Sequence, residues 1–131
     1  MDETRSKSME EAICRAFPTK AEWPNDEFIE AHADLLFANP PADELLTAVP
    51  AYMAWCTRNT HQPSSLVFDY TVNALATFGR TKNPAPAHLN FKYLCTDDQQ
   101  RIVASFLCWC LQDDLLIRKE QIERAIKHWP R

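Results

Sequence analysis

Glycine is almost absent from this sequence, because Gly79 is the only one among 131 residues. Loops that wrap a phosphate or a dinucleotide need several glycines, since the backbone there approaches the ligand closely or turns left-handed. The scarcity of glycine therefore excludes P-loop and Rossmann enzymes. At this length, and with 46% hydrophobic residues, the chain is expected to form one domain over residues 1–131.

Positive charge is also scarce. The sequence has 14 Lys+Arg and 18 Asp+Glu residues, which gives a net charge of -4 and a pI of about 5.5. Nucleic acid is therefore not an expected partner. No apolar run approaches the roughly 20 residues of a membrane span, and the polar N-terminus has no signal-peptide pattern. The five cysteines lack the spacing of a disulfide framework or a zinc site. These absences favour a cytoplasmic protein that does not contact a membrane.

Helical periodicity is what the sequence does contain. Apolar residues recur at three- and four-residue spacing through most of the chain, and strand-like alternation is nearly absent. This pattern predicts an all-α fold, a single compact bundle of about five to seven helices. The first helix is predicted to begin at a capping box at Ser8, after a disordered tail over residues 1–7. The second is predicted to begin at Asn25 or Asp26 and to include Phe37.

Proline and glycine predict how the middle of the chain is divided. A third helix should run from Ala42 to about Thr57 and be kinked or split at Pro50, because proline cannot donate to the preceding turn and crowds it. A fourth helix, apolar over most of its circumference, should lie near the centre and stop at Gly79 as a left-handed C-terminal residue. Residues 80–95 are expected to form a long proline-containing loop.

Two helices are predicted for the C-terminal third, over residues 96–112 and 117–129. The first of them is the most strongly indicated helix of the chain, because Thr96 and Gln99 form a capping box. We expect Phe91, Tyr93 and Leu94, just before it, to attach the end of the loop to the core.

No set of residues marks a catalytic or metal site. The four histidines have no histidine partner at helical spacing, so neither a metal nor a cofactor is expected. Cys95 precedes a helix N-terminus, where the dipole can lower a thiol pKa, or it is a core cysteine beneath the capping turn. Ser65, Asp69, Asn73 and Thr77 form one polar stripe. That stripe either faces a ligand cleft or is the solvated edge of its helix.

Acidic residues and tryptophans are the candidate contacts for a protein partner. The acidic candidates, at the two ends of the helix predicted over residues 96–112, are Asp97, Asp98, Asp113 and Asp114. They either terminate the helix or form a surface that meets a basic partner, where charge raises association rate and specificity. Trp23, Trp55 and Trp129 would be interface anchors if exposed, and burial of all three would weaken this interpretation.

Four short segments carry a resemblance. They are residues 49–55 (VPAYMAW), 69–75 (DYTVNAL), 94–100 (LCTDDQQ) and 102–107 (IVASFL). Over about residues 9–129 the chain resembles a family of small, uncharacterised bacterial helical proteins, in which a leucine-proline-alanine helix precedes a threonine-x-x-glutamine helix ending in phenylalanine-leucine. Val49 stands where that pattern has leucine, and the proline-rich loop at residues 81–88 is unusually long. The resemblance supplies no catalytic residues.

In general character the chain also resembles the immunity proteins with which bacteria neutralise toxins, because it is small, acidic and helical. We therefore predict a non-catalytic protein-binding domain rather than an enzyme, most concretely a cytosolic immunity protein whose partner is a basic toxin domain. One alternative is a small ligand-binding or enzymatic domain that uses Asp69 and Asn73 with Cys95 or a histidine. The other is a homo-oligomeric structural module.

Overall fold

The computed structural model describes residues 3–18, 24–38, 40–59, 66–83, 90–111 and 119–129. Within these ranges the protein is a compact all-α bundle of seven helices and one 3-10 turn, with no strand, which confirms the predicted fold class. The helices are α1 (Glu3–Ala16), α2 (Asp26–Ala31), α3 (Ala42–Arg58), α4 (Leu66–Arg80), α5 (Phe91–Leu94), α6 (Asp97–Trp109) and α7 (Lys119–Ile126). The 3-10 turn, Leu35–Phe37, lies between α2 and α3.

Helix α3 forms the centre of the bundle. It packs against α1 and α4 and also contacts α2, α5 and the 3-10 turn. Residues 48–57 are all buried except Ala51, so nearly the whole circumference of α3 is covered. Helix α4, which is apolar over most of its circumference as predicted, packs between α3 and α7.

Pro50 does not divide α3. The helix continues from Ala42 to Arg58, so the expected pair of abutting helices is wrong. Val49 before the proline and Tyr52 after it are fully buried in the same core. This packing holds the two halves together as one helix although proline removes one backbone hydrogen bond.

Gly79 is not the left-handed residue that ends a helix, because α4 continues to Arg80. A Cβ added at position 79 would lie 2.7 Å from both His128 Cβ and Trp129 Nε1. Glycine is therefore required by the close approach of the chain that follows α7, and the predicted role as a C-terminal cap is wrong.

The N-terminal helix begins earlier than predicted. Helix α1 starts at Glu3, so the expected disordered tail over residues 1–7 is wrong from residue 3 onward, and Ser8 lies inside the helix rather than at its cap. Ser6 and Met9 are buried, and α1 packs against α3 and α6. Tertiary packing of one face supplies the stability that this polar segment lacks by itself.

The predicted second helix is two elements. Asn25 is the N-cap of α2, and its Oδ1 accepts a hydrogen bond of 2.8 Å from the Phe28 N–H. After a turn, the 3-10 turn places Leu36 in the core and leaves Phe37 44% exposed. The exposed ring of Phe37 forms one edge of the candidate site.

The expected loop over residues 80–95 contains a helix, α5, and residues 84–89 lie outside the described residues. Phe91 is fully buried, and its ring centroid lies 5.6 Å from that of Phe78, which attaches α5 to the core. Tyr93, which was predicted to point into the core, is exposed, and its hydroxyl donates to a backbone carbonyl just after α4.

The capping box at the start of α6 is confirmed. The Thr96 N–H donates to Gln99 Oε1 at 2.8 Å, and the Gln99 N–H donates to Thr96 Oγ1 at 3.2 Å. The Gln99 side-chain amide also donates to the Ala16 carbonyl at 2.9 Å, which joins α6 to the end of α1. Ile122 and Ile126 on the predicted apolar face of α7 are buried.

Candidate binding pocket between two helices

Trp129 was predicted as an anchor for a partner, and its burial contradicts that prediction. The side chain is 3% exposed, and the indole N–H donates to the Leu75 carbonyl at 2.9 Å. Its ring lies 6.1 Å from that of Phe91 and 6.0 Å from the Lys92 ammonium group. These contacts join α4, α5 and the turn after α7, so Trp129 holds the bundle together.

Trp55 does not supply an exposed anchor either. Trp55 is buried in α3, where its indole N–H donates to Glu30 Oε2 at 3.0 Å and its ring packs edge-on against Phe68. Trp23 lies outside the described residues. No tryptophan within the described ranges is exposed, so an anchor must be sought among other residue types.

The structure describes two of the four acidic residues that were predicted to contact a partner. Asp97 and Asp98 are exposed in the first turn of α6. Asp98 pairs with Arg101 at 2.9 Å, whereas Asp97 forms no ion pair within the described residues. Asp113 and Asp114 lie outside the described residues.

Cys95 is not an activated thiol. It is buried between α5 and α6, and burial raises the pKa of its thiol to about 12. Of the two alternatives for Cys95, the core cysteine beneath the capping turn is therefore confirmed and the activated thiol is wrong, because desolvation of the thiolate has the larger effect on the pKa.

A pocket of about 400 Å³ opens between α4, α7 and the 3-10 turn. Its wall on α4 consists of Tyr70, Asn73, Ala76, Thr77 and Arg80. The spacing of the polar members, three, four and three residues, places them on one face of the helix. Asn73 and Thr77 belong to the predicted polar stripe, whereas Asp69 does not line the pocket and Ser65 lies outside the described residues.

A hydrogen bond links the two helices inside the pocket. The Gln121 side-chain amide donates to Asn73 Oδ1 at 2.6 Å, and the Thr77 hydroxyl donates to the Asn73 backbone carbonyl at 3.1 Å. The carbonyl oxygen of the Asn73 side chain is thereby occupied. Its Nδ2 group has no acceptor among the described residues and remains able to donate.

An aromatic pair forms one edge of the pocket. Phe37 and Tyr70 meet edge to face, with ring centroids 5.8 Å apart and an interplanar angle of 64°. Because Phe37 remains 44% exposed, it offers an apolar contact beside the polar wall of α4.

Two arginines supply the charge of the pocket. Arg80 ends α4 and Arg124 lies in the last turn of α7, where a cation interacts favourably with the helix dipole. Both are exposed, and neither forms an ion pair within the described residues. By contrast, Arg58 pairs with Glu10 at 2.8 Å and with Asp26 at 2.5 Å. The helix dipole explains why the two pocket arginines lie at these helix ends, but their N–H groups have no acceptor among the residues that the structure describes.

A second, larger recess of about 570 Å³ lies between α1 and α6. Its lining is mainly apolar and includes Met9, Ala12 and Ile102. The two arginines at this recess, Arg5 and Arg101, already have interaction partners. The pocket between α4 and α7 is therefore the stronger candidate for a binding site.

The alternative prediction joined Asp69 and Asn73 to Cys95 or a histidine. Neither Cys95 nor the two described histidines, His32 and His128, line the pocket. Among the residues that the structure describes, no group of three or more His, Cys, Asp or Glu side chains could hold a metal ion. None of the described helices is long and apolar enough to cross a membrane.

Sequence reasoning missed most of the pocket. Tyr70 and Arg80 could have been found with Asn73, because the three residues share a helical face with Thr77. No local signal indicates the contribution of α7, since it depends on how two helices distant in sequence pack.

Comparison with protein families, curated proteins and solved structures finds no match to this chain. The resemblance to small bacterial helical proteins and the likeness to immunity proteins therefore stay predictions.

Proposed function

We propose that the protein is a non-catalytic protein-binding domain whose contact surface includes the pocket between α4 and α7. The observation that supports this proposal is an aromatic pair, exposed Phe37 and half-buried Tyr70, beside two arginines that form no ion pair within the described residues. Arginine and aromatic residues are enriched at the centres of protein interfaces. A concave surface that offers them suits a protruding segment of another protein.

The residues that line the pocket favour binding over catalysis. In the described part of the chain they carry guanidinium, amide, hydroxyl, aromatic and methyl groups. This described lining contains no carboxylate, imidazole or thiol, which are the groups that most often act as general base or nucleophile.

Affinity capture from a lysate of the source organism tests the proposal. The tagged wild type is compared with an Arg80→Glu/Arg124→Glu variant and with a Lys7→Glu/Arg15→Glu control. Lys7 and Arg15 are exposed on α1 and form no ion pair within the described residues, so the control has the same charge change at another site. We expect one protein to be retained by the wild type and the control but lost from the pocket variant. Equal retention by all three, or by none, would contradict the proposal.

A more specific proposal concerns the partner: a basic bacterial toxin domain, with this chain as its cytosolic immunity protein. The net charge of -4 and the exposed Asp97 and Asp98 support it, because they would accelerate association with a basic partner. An Asp97→Lys/Asp98→Lys variant should then associate more slowly with the captured protein at low salt. Co-expression with the wild type should suppress the toxicity of that protein. A captured partner that is acidic or harmless would contradict this form of the proposal.

A further inference from the structure

We propose that the pocket between α4 and α7 binds the carboxylates of an acidic segment of the partner protein. This inference rests on the proposed function of protein binding and names the chemistry that the pocket selects in one segment of the partner, whatever the net charge of that partner as a whole. Four donor groups in the lining have no acceptor among the described residues. They are the guanidinium groups of Arg80 and Arg124, the Nδ2 group of Asn73 and the hydroxyl of Tyr70.

An excess of donors selects a ligand that only accepts. The side-chain oxygen of Asn73 already accepts from Gln121, and the Thr77 hydroxyl already donates to a backbone carbonyl. Against the four donor groups stands one side-chain amide oxygen with no donor among the described residues, Gln121 Oε1. An ionised carboxylate accepts several hydrogen bonds and donates none, and the planar guanidinium fork matches its two oxygens. A lysine side chain would instead meet two positive charges. The chemistry of the lining therefore points to aspartate or glutamate side chains.

The shape and surroundings of the pocket favour a protein segment as the source of the carboxylates. Both arginines are exposed, and a single ion pair in water contributes little affinity. A segment with several carboxylates and an apolar side chain can contact both arginines and the Phe37–Tyr70 edge together. A long polyanion is disfavoured, because the same two helices expose Asp69, Glu120 and Glu123.

Calorimetric titration with a synthetic peptide tests the inference. The probe is a capped peptide of two Glu-Glu-Leu repeats, and its control replaces every glutamate by glutamine. We expect saturable binding of the glutamate peptide to the wild type and no binding of the glutamine peptide. Arg80→Ala and Arg124→Ala should each weaken the affinity by about fivefold, because each removes one exposed ion pair to the peptide. Arg15→Ala on α1 should leave the affinity unchanged.

A second measurement needs no variant. In NMR spectra of the wild type, the glutamate peptide should shift the amide signals of Asn73, Thr77 and Gln121 more than those of α1. Three results would overturn the inference: signal shifts in another part of the protein, no binding at millimolar peptide, or pocket variants that bind the peptide as tightly as the wild type does. If glutarate or inorganic phosphate binds the pocket as tightly as the peptide does, the natural ligand is a small anion and not a protein segment. If a partner is captured through the pocket but the peptide fails to bind, this inference alone fails. If neither binds, the proposed function fails as well.

Discussion

The contact between α4 and the C-terminal part of the chain is closed in one place and open in another. At the closed contact, Gly79 lets Trp129 approach the backbone of α4, and the indole N–H donates to the Leu75 carbonyl. At the open contact, Arg80 and Arg124 border a pocket of about 400 Å³. Gly79 and Arg80 are neighbours in sequence, so a rotation of about 100° around α4 separates core packing from the candidate site.

The difference between the two contacts separates stability from recognition. At the closed contact, the large ring of Trp129 packs against Gly79, which has no side chain, as closely as residues pack in a protein core. The open contact leaves donor groups without acceptors among the described residues. Substitutions at the closed contact should therefore lower the free energy of unfolding, whereas substitutions at the open contact should affect binding with little change in stability.

Trp129→Ala should break the closed contact and cause the largest effect. Removing the buried ring should lower the free energy of unfolding by about 3–5 kcal/mol, since the ring fills space between α4 and α5. Urea unfolding followed by circular dichroism measures this change. Trp129→Phe keeps an aromatic ring and removes the N–H donor, so it should cost only about 1–2 kcal/mol. An equal loss for both variants would show that the hydrogen bond, not the packing, closes this contact.

Gly79→Ala tests the closed contact from the opposite side. In a free helix this change stabilises by about 1 kcal/mol, because alanine has the higher helix propensity. Here the new Cβ would lie 2.7 Å from Trp129 Nε1, and we expect a loss of about 1–3 kcal/mol. The sign of the change in urea unfolding is therefore decisive. A gain in stability would show that α4 and the segment after α7 do not approach this closely.

Lys92→Met removes a charge that joins the ends of α4 and α7. The Lys92 ammonium donates to the His128 carbonyl at 2.7 Å and to the Gly79 carbonyl at 3.5 Å. Methionine keeps the apolar stem, so a loss of about 1–2 kcal/mol should reflect the hydrogen bonds to the ammonium group. Lys82→Met, at an exposed position, should change stability by less than about 0.5 kcal/mol. Equal changes for the two variants would contradict the role of Lys92.

The helices were predictable because their signals are local. The Thr96 capping box and the apolar face of α7 depend on residues within one or two turns, and the structure contains both. Gly79 was misread because its role depends on His128 and Trp129, which are distant in sequence. The same reason explains Pro50, whose helix persists because its neighbours are buried in the tertiary core.

The pocket was predictable only on one side. Asn73 and Thr77 belong to a polar stripe that periodicity indicates, and they line the pocket. The sequence does not show that Gln121 donates to Asn73, because that bond requires α7 to pack beside α4. Tryptophan is a common interface anchor, yet Trp129 is buried. Its indole ring fills a space in the core that is visible only once the helices have packed.

Arg80→Ala and Arg124→Ala should cause the smallest change in stability and so define the open contact. Both side chains are exposed and form no ion pair within the described residues, so each loses only its interaction with a helix terminus. That loss is about 0.5 kcal/mol or less at low salt, and added salt should screen it. Urea unfolding at low and high ionic strength measures both values. A loss as large as that of Gly79→Ala would mean that these arginines hold α4 and α7 together. A small loss combined with an about fivefold weaker affinity for the glutamate peptide would separate recognition from stability at adjacent residues of one helix.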